Sequence, residues 1–258
     1  VISQVKYNKE CNLILASSLD NIVSLWNTEG TLLGTYEGHN GAVWSVDHLN
    51  DDVISGGDDS FKNPPKIQIF DSNSGINNFL ENINVPTSIT FFRNMGVFSD
   101  NIGNLNLFDI RQDKIIKTES LHSEKINEIK PSPCGTFFIT SSDDKSAKIV
   151  DFDLNVIKTI ESKDPVNSSC ILRTNDKVVT AGGITATDVT LTGGNTRFDV
   201  NFYDVVTKTL VGYYSPHFGT INSVDVHSDC KSMITGGEDG IISITKFGND
   251  FYEADYPN

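Results

Sequence analysis

With 258 residues, 38% of them hydrophobic and 21% charged, the chain is long enough to bury a sizeable core, and its 20 glycines suit a fold with many turns. A net charge of −14, from 20 basic and 34 acidic side chains, sets most of the surface against a phosphate backbone and argues against direct nucleic-acid binding. No apolar run approaches the ~18 residues of a membrane helix and no signal peptide precedes Val1, so no membrane partner is expected.

Taken in chain order, the elements read as short strands punctuated by turns. Val1 to Tyr7 is strand-like, and Ser17-Ser18-Leu19-Asp20 leads through a turn into the alternating stretch Ile22 to Trp26, which ends at Trp26-Asn27. Gly38-His39 opens a second unit that closes at Phe70-Asp71. Within it, Phe61-Lys62-Asn63-Pro64-Pro65 reads as a widened turn, since proline has no place inside a central strand. A third unit ends at Phe108-Asp109. The fourth begins at Leu121-His122, carries Ser141-Ser142-Asp143-Asp144 and ends at Val150-Asp151. The fifth ends at Tyr203-Asp204. The sixth runs from Pro216-His217 through Gly236-Gly237-Glu238-Asp239 to Thr245-Lys246, the most degraded ending. Phe251, Tyr252 and Tyr256 near the C-terminus are read as a last strand, with a partner-facing tail as the alternative.

The endings, an aromatic or apolar residue followed by Asp or Asn, recur at intervals of 44, 38, 42, 53 and 42 residues. From histidine to strand end the offset is 29 residues after His122 and His217, and 32 after His39, where the proline loop accounts for the excess. A repeat of about 40–45 residues with a Gly-His opening and a Trp-Asp ending is the pattern of a WD-repeat β-propeller blade. The expectation is an all-β, single-domain propeller over 1–258, with units at approximately 1–37, 38–81, 82–114, 115–161, 162–213 and 214–258 and no long helix.

Ser, His and Asp in one chain raise the question of a hydrolase. No G-x-S-x-G elbow exists, and a combination repeated in each unit is unlike a single active site. The economical reading is a fastening network within each blade, in which a turn Asp bonds the loop His and the His bonds a strand hydroxyl or the Trp. Asp20, Trp26, His39, His122, Ser142, Asp144, His217 and Asp239 are assigned to it. Gly56-Gly57, Gly182-Gly183 and Gly193-Gly194 precede neither a helix pattern nor Lys-Ser/Thr, which excludes a phosphate cradle. Asp51-Asp52, Asp58-Asp59 and Asp143-Asp144 lack calcium-loop spacing. Cys11, Cys134, Cys170 and Cys230 form no C-x-x-C pair. They are expected as buried free thiols in a reducing compartment. No catalytic residue, metal or cofactor is assigned.

Certain strings go beyond the repeat. They are Leu33 to Asp47, Asp164-Pro165-Val166-Asn167-Ser168, Ala181-Gly182-Gly183 with Ala186-Thr187-Asp188-Val189-Thr190, Phe198 to Tyr203, and His217-Phe218-Gly219-Thr220-Ile221-Asn222-Ser223-Val224 leading to Gly240. In these the chain resembles the subunit I family of eukaryotic translation initiation factor 3, nearly end to end. The resemblance implies a cytoplasmic, non-catalytic scaffold that docks a helical segment of subunit b on its late blades, contacts subunit g and meets the small ribosomal subunit indirectly. The alternative is a WD-repeat adaptor in another intracellular signalling complex. By the same resemblance Asp151 falls at an acidic contact with subunit b, although it is also the ordinary Trp-Asp-type residue of its unit. Cys134 stands where the family has an acid. The family has seven blades against six units here, which places a missing unit near Asp113 to Lys117, with omitted residues favoured over a true six-bladed ring. The strand that closes the ring stays open.

Overall fold

The computed structural model describes every residue except 9, 51, 59–63, 73, 76, 175, 185–196, 249, 250 and 252–258. Ala186–Thr190, Gly193-Gly194, the Phe61 to Asn63 part of the proline loop, Tyr252 and Tyr256 therefore lie outside the described residues.

Strand alternation and the turn residues between strands produce six antiparallel sheets, each a meander of consecutive strands. The first holds β1 (Ile2–Tyr7), β2 (Leu13–Ser18), β3 (Val23–Asn27) and β4 (Leu32–Tyr36). The second holds β5 (Ala42–Leu49), β6 (Asp52–Asp58), β7 (Lys66–Asp71) and β8 (Asn77–Leu80). The third holds β9 (Pro86–Phe92), β10 (Met95–Asp100), β11 (Asn104–Asp109) and β12 (Lys114–Ser120). β13 (Ile126–Pro131), β14 (Phe137–Ser142), β15 (Ser146–Asp151) and β16 (Val156–Glu161) form the fourth. β17 (Val166–Ile171), β18 (Lys177–Gly182), β19 (Val200–Asp204) and β20 (Leu210–Tyr214) form the fifth. The sixth has, among the described residues, three strands, β21 (Ile221–Val226), β22 (Ser232–Gly237) and β23 (Ile242–Lys246). These sheets are the blades of a WD-repeat β-propeller fold.

The stretch from Asp113 to Lys117 is a hairpin. Asp113 adopts a left-handed turn conformation (φ 49°), and β12 pairs with β11 through Asp109↔Lys114, Phe108↔Ile115 and Leu107↔Lys117. The third blade therefore continues past 114 to Ser120.

The chain forms two compact units, Val1–Ile129 and Lys130–Asn258. In the first, apolar faces of successive sheets meet. Leu15 and Val23 join Val43, Val46 and Val53, and Ile54, Ile67, Ile69 and Leu80 join Ile89, Phe91, Phe98 and Phe108. The second unit repeats the device. Ile139, Ile149 and Ile160 join Val166, Ile171 and Val178, while Val179, Val200 and Phe202 join Ile221, Val224 and Met233. Each such side chain contributes roughly 1.5–3 kcal/mol by leaving water. Second strands such as β10, β14 and β18, covered on both faces, are buried almost throughout, whereas the outer strand β12 alternates strictly between exposed and half-buried positions.

Only Cys170 and Cys230 are buried; Cys11 and Cys134 are exposed. The expectation of four buried thiols fails at these two because both lie in turns between strands and not in them. Phe251 does not extend the sixth sheet but stacks on Phe247 at 4.4 Å and meets Phe202 edge-on at 5.5 Å.

Candidate functional site

In the sixth blade the loop before β21 carries His217 against the second strand. His217 Nδ1 lies 3.0 Å from Asp239 Oδ2, and Nε2 lies 2.8 Å from the Thr235 hydroxyl. A carboxylate only accepts, so the ring donates from Nδ1 and, when neutral, accepts at Nε2 from Thr235. Asp239 also takes the backbone N–H groups of Phe218 (3.1 Å) and Ile241 (3.0 Å). Its slight burial disfavours the charge, but these two N–H groups and the imidazole outweigh that and hold the carboxyl below its ordinary range. The Asp-His-Thr order has the connectivity of a hydrolase relay. Thr235 is 2% exposed and His217 5%, so no substrate carbonyl can reach the hydroxyl.

The second blade repeats the arrangement. His39 Nε2 is 2.9 Å from the Ser55 hydroxyl, both buried, while Asp59 lies outside the described residues. Gly57 and Gly237 sit beneath the two rings because a Cβ there would run into Nδ1. In the fourth blade His122 is buried, and Asp144 stands at the same offset from it as Asp239 from His217. Asp144 accepts the Ser146 N–H (3.1 Å) and hydroxyl (2.7 Å), and its own N–H goes to Ser142 Oγ at 3.1 Å. Trp26 donates to Ser24 within its own strand at 2.8 Å, and Asp20 is exposed with its N–H toward Ser18 Oγ at 3.4 Å. The third blade has no histidine. Asp100, 1% exposed, does the fastening by accepting the Ile102 and Asn104 N–H groups and the amides of Asn84 and Asn104.

The acids of the Trp-Asp-like endings close the outer turns. Asp151 accepts the Asn155 N–H (2.8 Å) and amide (3.0 Å), Asp204 the Val206 and Thr207 N–H groups, and Asp109 that of Arg111. Asn27 does the same for Glu29 and Thr31. The Thr207 N–H holds Asp204 below the ordinary carboxylate range. Cys134 sits in the turn between β13 and β14 with its sulfur near the hydroxyls of Ser132 (3.2 Å) and Thr136 (2.9 Å). Slight burial opposes the thiolate, but the hydrogen bonds from both hydroxyls prevail and lower its pKa. Since Phe137 pairs with Asp151, Cys134 and Asp151 lie at one end of the same blade.

A further set of residues escaped the sequence reading. Innermost strands carry a β-bulge, with the extra residue at Ser3, Trp44, Thr87, Asn167 and Asn222. From it Ser3, Thr87 and Asn167 donate to the carbonyls of Val43 (2.6 Å), Ile126 (2.5 Å) and Ile221 (3.1 Å) on the following blade. The next residue accepts the N–H three positions further along: Gln4 from Val46 (2.9 Å), Ser45 from Ile89 (2.9 Å), Ser88 from Ile129 (3.1 Å) and Ser168 from Val224 (3.0 Å). This two-residue clasp joins neighbouring blades. Trp44 donates no such bond and is 41% exposed. Replacing Ser168 by alanine is expected to cost about 1–3 kcal/mol, because the buried Val224 N–H loses its acceptor; the shift in urea midpoint measures it.

A sequence profile of the WD domain, G-beta repeat, matches residues 30–62, 113–151 and 208–245. Proteins named eukaryotic translation initiation factor 3 subunit I are similar along the chain. Those of Drosophila erecta and Drosophila melanogaster are 30% identical over 310 aligned positions, covering 98% of this chain and 95% of theirs. That of Drosophila willistoni is 29% identical over 310 positions, covering 98% and 96%. Because 310 positions are aligned with a chain of 258 residues, at least 52 positions of these relatives face a gap, more than one repeat.

Proposed function

Because the chain belongs to the family of eukaryotic translation initiation factor 3 subunit I, we propose that it is a cytoplasmic, non-catalytic scaffold subunit of that initiation factor. The observation that carries this reading is the 30% identity over 98% of the chain. The internal use of His39 and His217 supports it, because the residues that elsewhere do chemistry are spent here on fastening blades.

Its task is to dock a helical segment of subunit b on the late blades, to contact subunit g and to meet the small ribosomal subunit only through those partners. An acidic chain suits a basic amphipathic helix, and the end of the fourth blade that carries Asp151 and Cys134 is the contact we assign to it. Affinity capture of the tagged chain from its own cells, read by mass spectrometry, is expected to recover initiation factor 3 subunits. Recovery of a different complex would make the chain an adaptor of that complex instead.

Asp151→Asn separates charge from structure. Asparagine closes the equivalent turn at Asn27, so the variant keeps the fold. It is expected to weaken binding of the subunit b segment about tenfold with an unchanged melting temperature. Unchanged affinity would remove Asp151 from the interface.

A further inference from the structure

The fifth blade departs from the fastening scheme. In the second and sixth blades the histidine stands four residues before the strand residue paired with the glycine, as Val43↔Gly57 and Ile221↔Gly237 show. The equivalent pair in the fifth blade is Val166↔Gly182, and four residues earlier stands Ser162. Two residues beyond Gly237 is Asp239; two beyond Gly182 is Ile184. Imidazole and carboxylate are both gone. The hydroxyls of Ser162 and Thr180 turn instead to the Tyr203 phenol, and the place over Gly182 that the ring takes in the other two blades is met by the Pro165 carbonyl.

Beside them, within the second unit, lies a cleft of about 450 Å³ whose lining includes Ser162, Tyr203, Lys163, Asp164, Arg197 and Asp199. The Arg197 guanidinium lies 5.7 Å from the Tyr213 ring centre and donates to its hydroxyl at 3.4 Å. No carboxylate of the described residues pairs with Lys163 or Arg197, although two acids share the cleft, and Asp199 already accepts from the Ser215 hydroxyl. Tyr213 is 57% exposed and Leu210 49%. The strings that set this chain apart from a generic repeat also gather here, at Asp164 to Ser168, Ala181 to Gly183 and Phe198 to Tyr203.

We propose that this cleft binds the carboxylate of an acidic side chain on an extended peptide of a partner protein. Lys163 and Arg197 receive the anion, and Arg197 is pre-oriented by Tyr213. Tyr213 and Leu210 offer apolar cover to the neighbouring residue of the peptide. Asp164 and Asp199 keep the local charge near neutral, so a singly charged carboxylate is preferred to phosphate. The volume is several times that of a carboxylate and accommodates adjoining side chains.

Selection of displayed random heptapeptides on the intact chain tests this. Enriched peptides are expected to carry Asp or Glu at one fixed place. The strongest, synthesised with a fluorescent label, should lose at least about tenfold in affinity with Glu→Gln in the peptide or with Arg197→Gln in the protein. Ser162→His puts a bulky imidazole into the lining of the cleft, at the position that carries histidine in blades two and six. It should abolish binding while leaving the melting temperature unchanged or raised, so lost binding there is not lost folding. Acid-free enriched peptides, no enrichment over the Ser162→His protein, or equal binding by Glu and Gln peptides would each overturn the proposal. So would tenfold tighter binding of a phosphoserine peptide, or sodium acetate competing as well as the peptide, since these assign the site to phosphate or to small carboxylates.

Discussion

Replacing Phe108 by alanine is expected to lower the stability of the first unit by about 3–5 kcal/mol, read as a shift in its chemical-denaturation midpoint. The ring is 0% exposed and packs edge-on against Phe98 at 5.8 Å, inside the cluster that joins the second and third blades. Gly96 pairs with Phe108 across the strands, and the ring lies over the place where a Cβ would stand. Gly96→Ala therefore forces the ring aside, at a cost of about 1–3 kcal/mol or more. The two substitutions should not add. Once Phe108 is alanine, the methyl at position 96 meets empty space, so the double variant is expected to be more stable than the sum of the single losses allows. Simple additivity would show that the ring can leave the strand without cost.

His217→Ala should destabilise the second unit by about 3 kcal/mol, since the buried ring and its bond to Thr235 are lost together. The same network fixes a pH dependence. A carboxyl whose folded pKa lies below its unfolded value stabilises the native state at all pH above the unfolded value. That stability is lost as pH falls through the folded value. Asp239 is such a group, as are Asp176, where slight burial is outweighed by Lys177 and Thr174, and Asp204. Stability should therefore be flat from neutral pH down to about the ordinary carboxylate range and fall below it. Asp239→Asn should make that acid limb shallower and leave the slope above pH 6 alone. An unchanged acid limb would show that Asp239 does not contribute to it.

The legibility of these features from sequence follows from what each tolerates. His217 and Asp239 stand out because the network accepts few side chains, so they recur at fixed offsets and mark the blades. The clasp is invisible by the same logic. It requires a position, the bulge, and a hydrogen-bonding group of any kind, so serine, threonine and asparagine alternate there without a readable motif. Asp100 carries no comparable mark in the sequence, because the third blade has no histidine at a fixed offset from it. The missing unit expected near Asp113 agrees in size with the 52 or more positions that the relatives have and this chain lacks, and in this chain Lys114 to Ser120 completes the third blade. The fifth-blade cleft is an absence, since Ser162 and Ile184 stand where a histidine and an acid were expected, and an absence shows only once the register of the strands is fixed.

The clasp has one more property, its direction. Ser3 and Gln4 reach forward to Val43 and Val46, Thr87 and Ser88 to Ile126 and Ile129, and Asn167 and Ser168 to Ile221 and Val224. In every case the holding side chains precede, by about one repeat, the backbone they hold. A chain made from its N-terminus presents them before the strand they receive has left the ribosome. Each finished blade is thus a ready template for the inner strand of the next, and assembly can keep pace with synthesis, one blade behind the growing end.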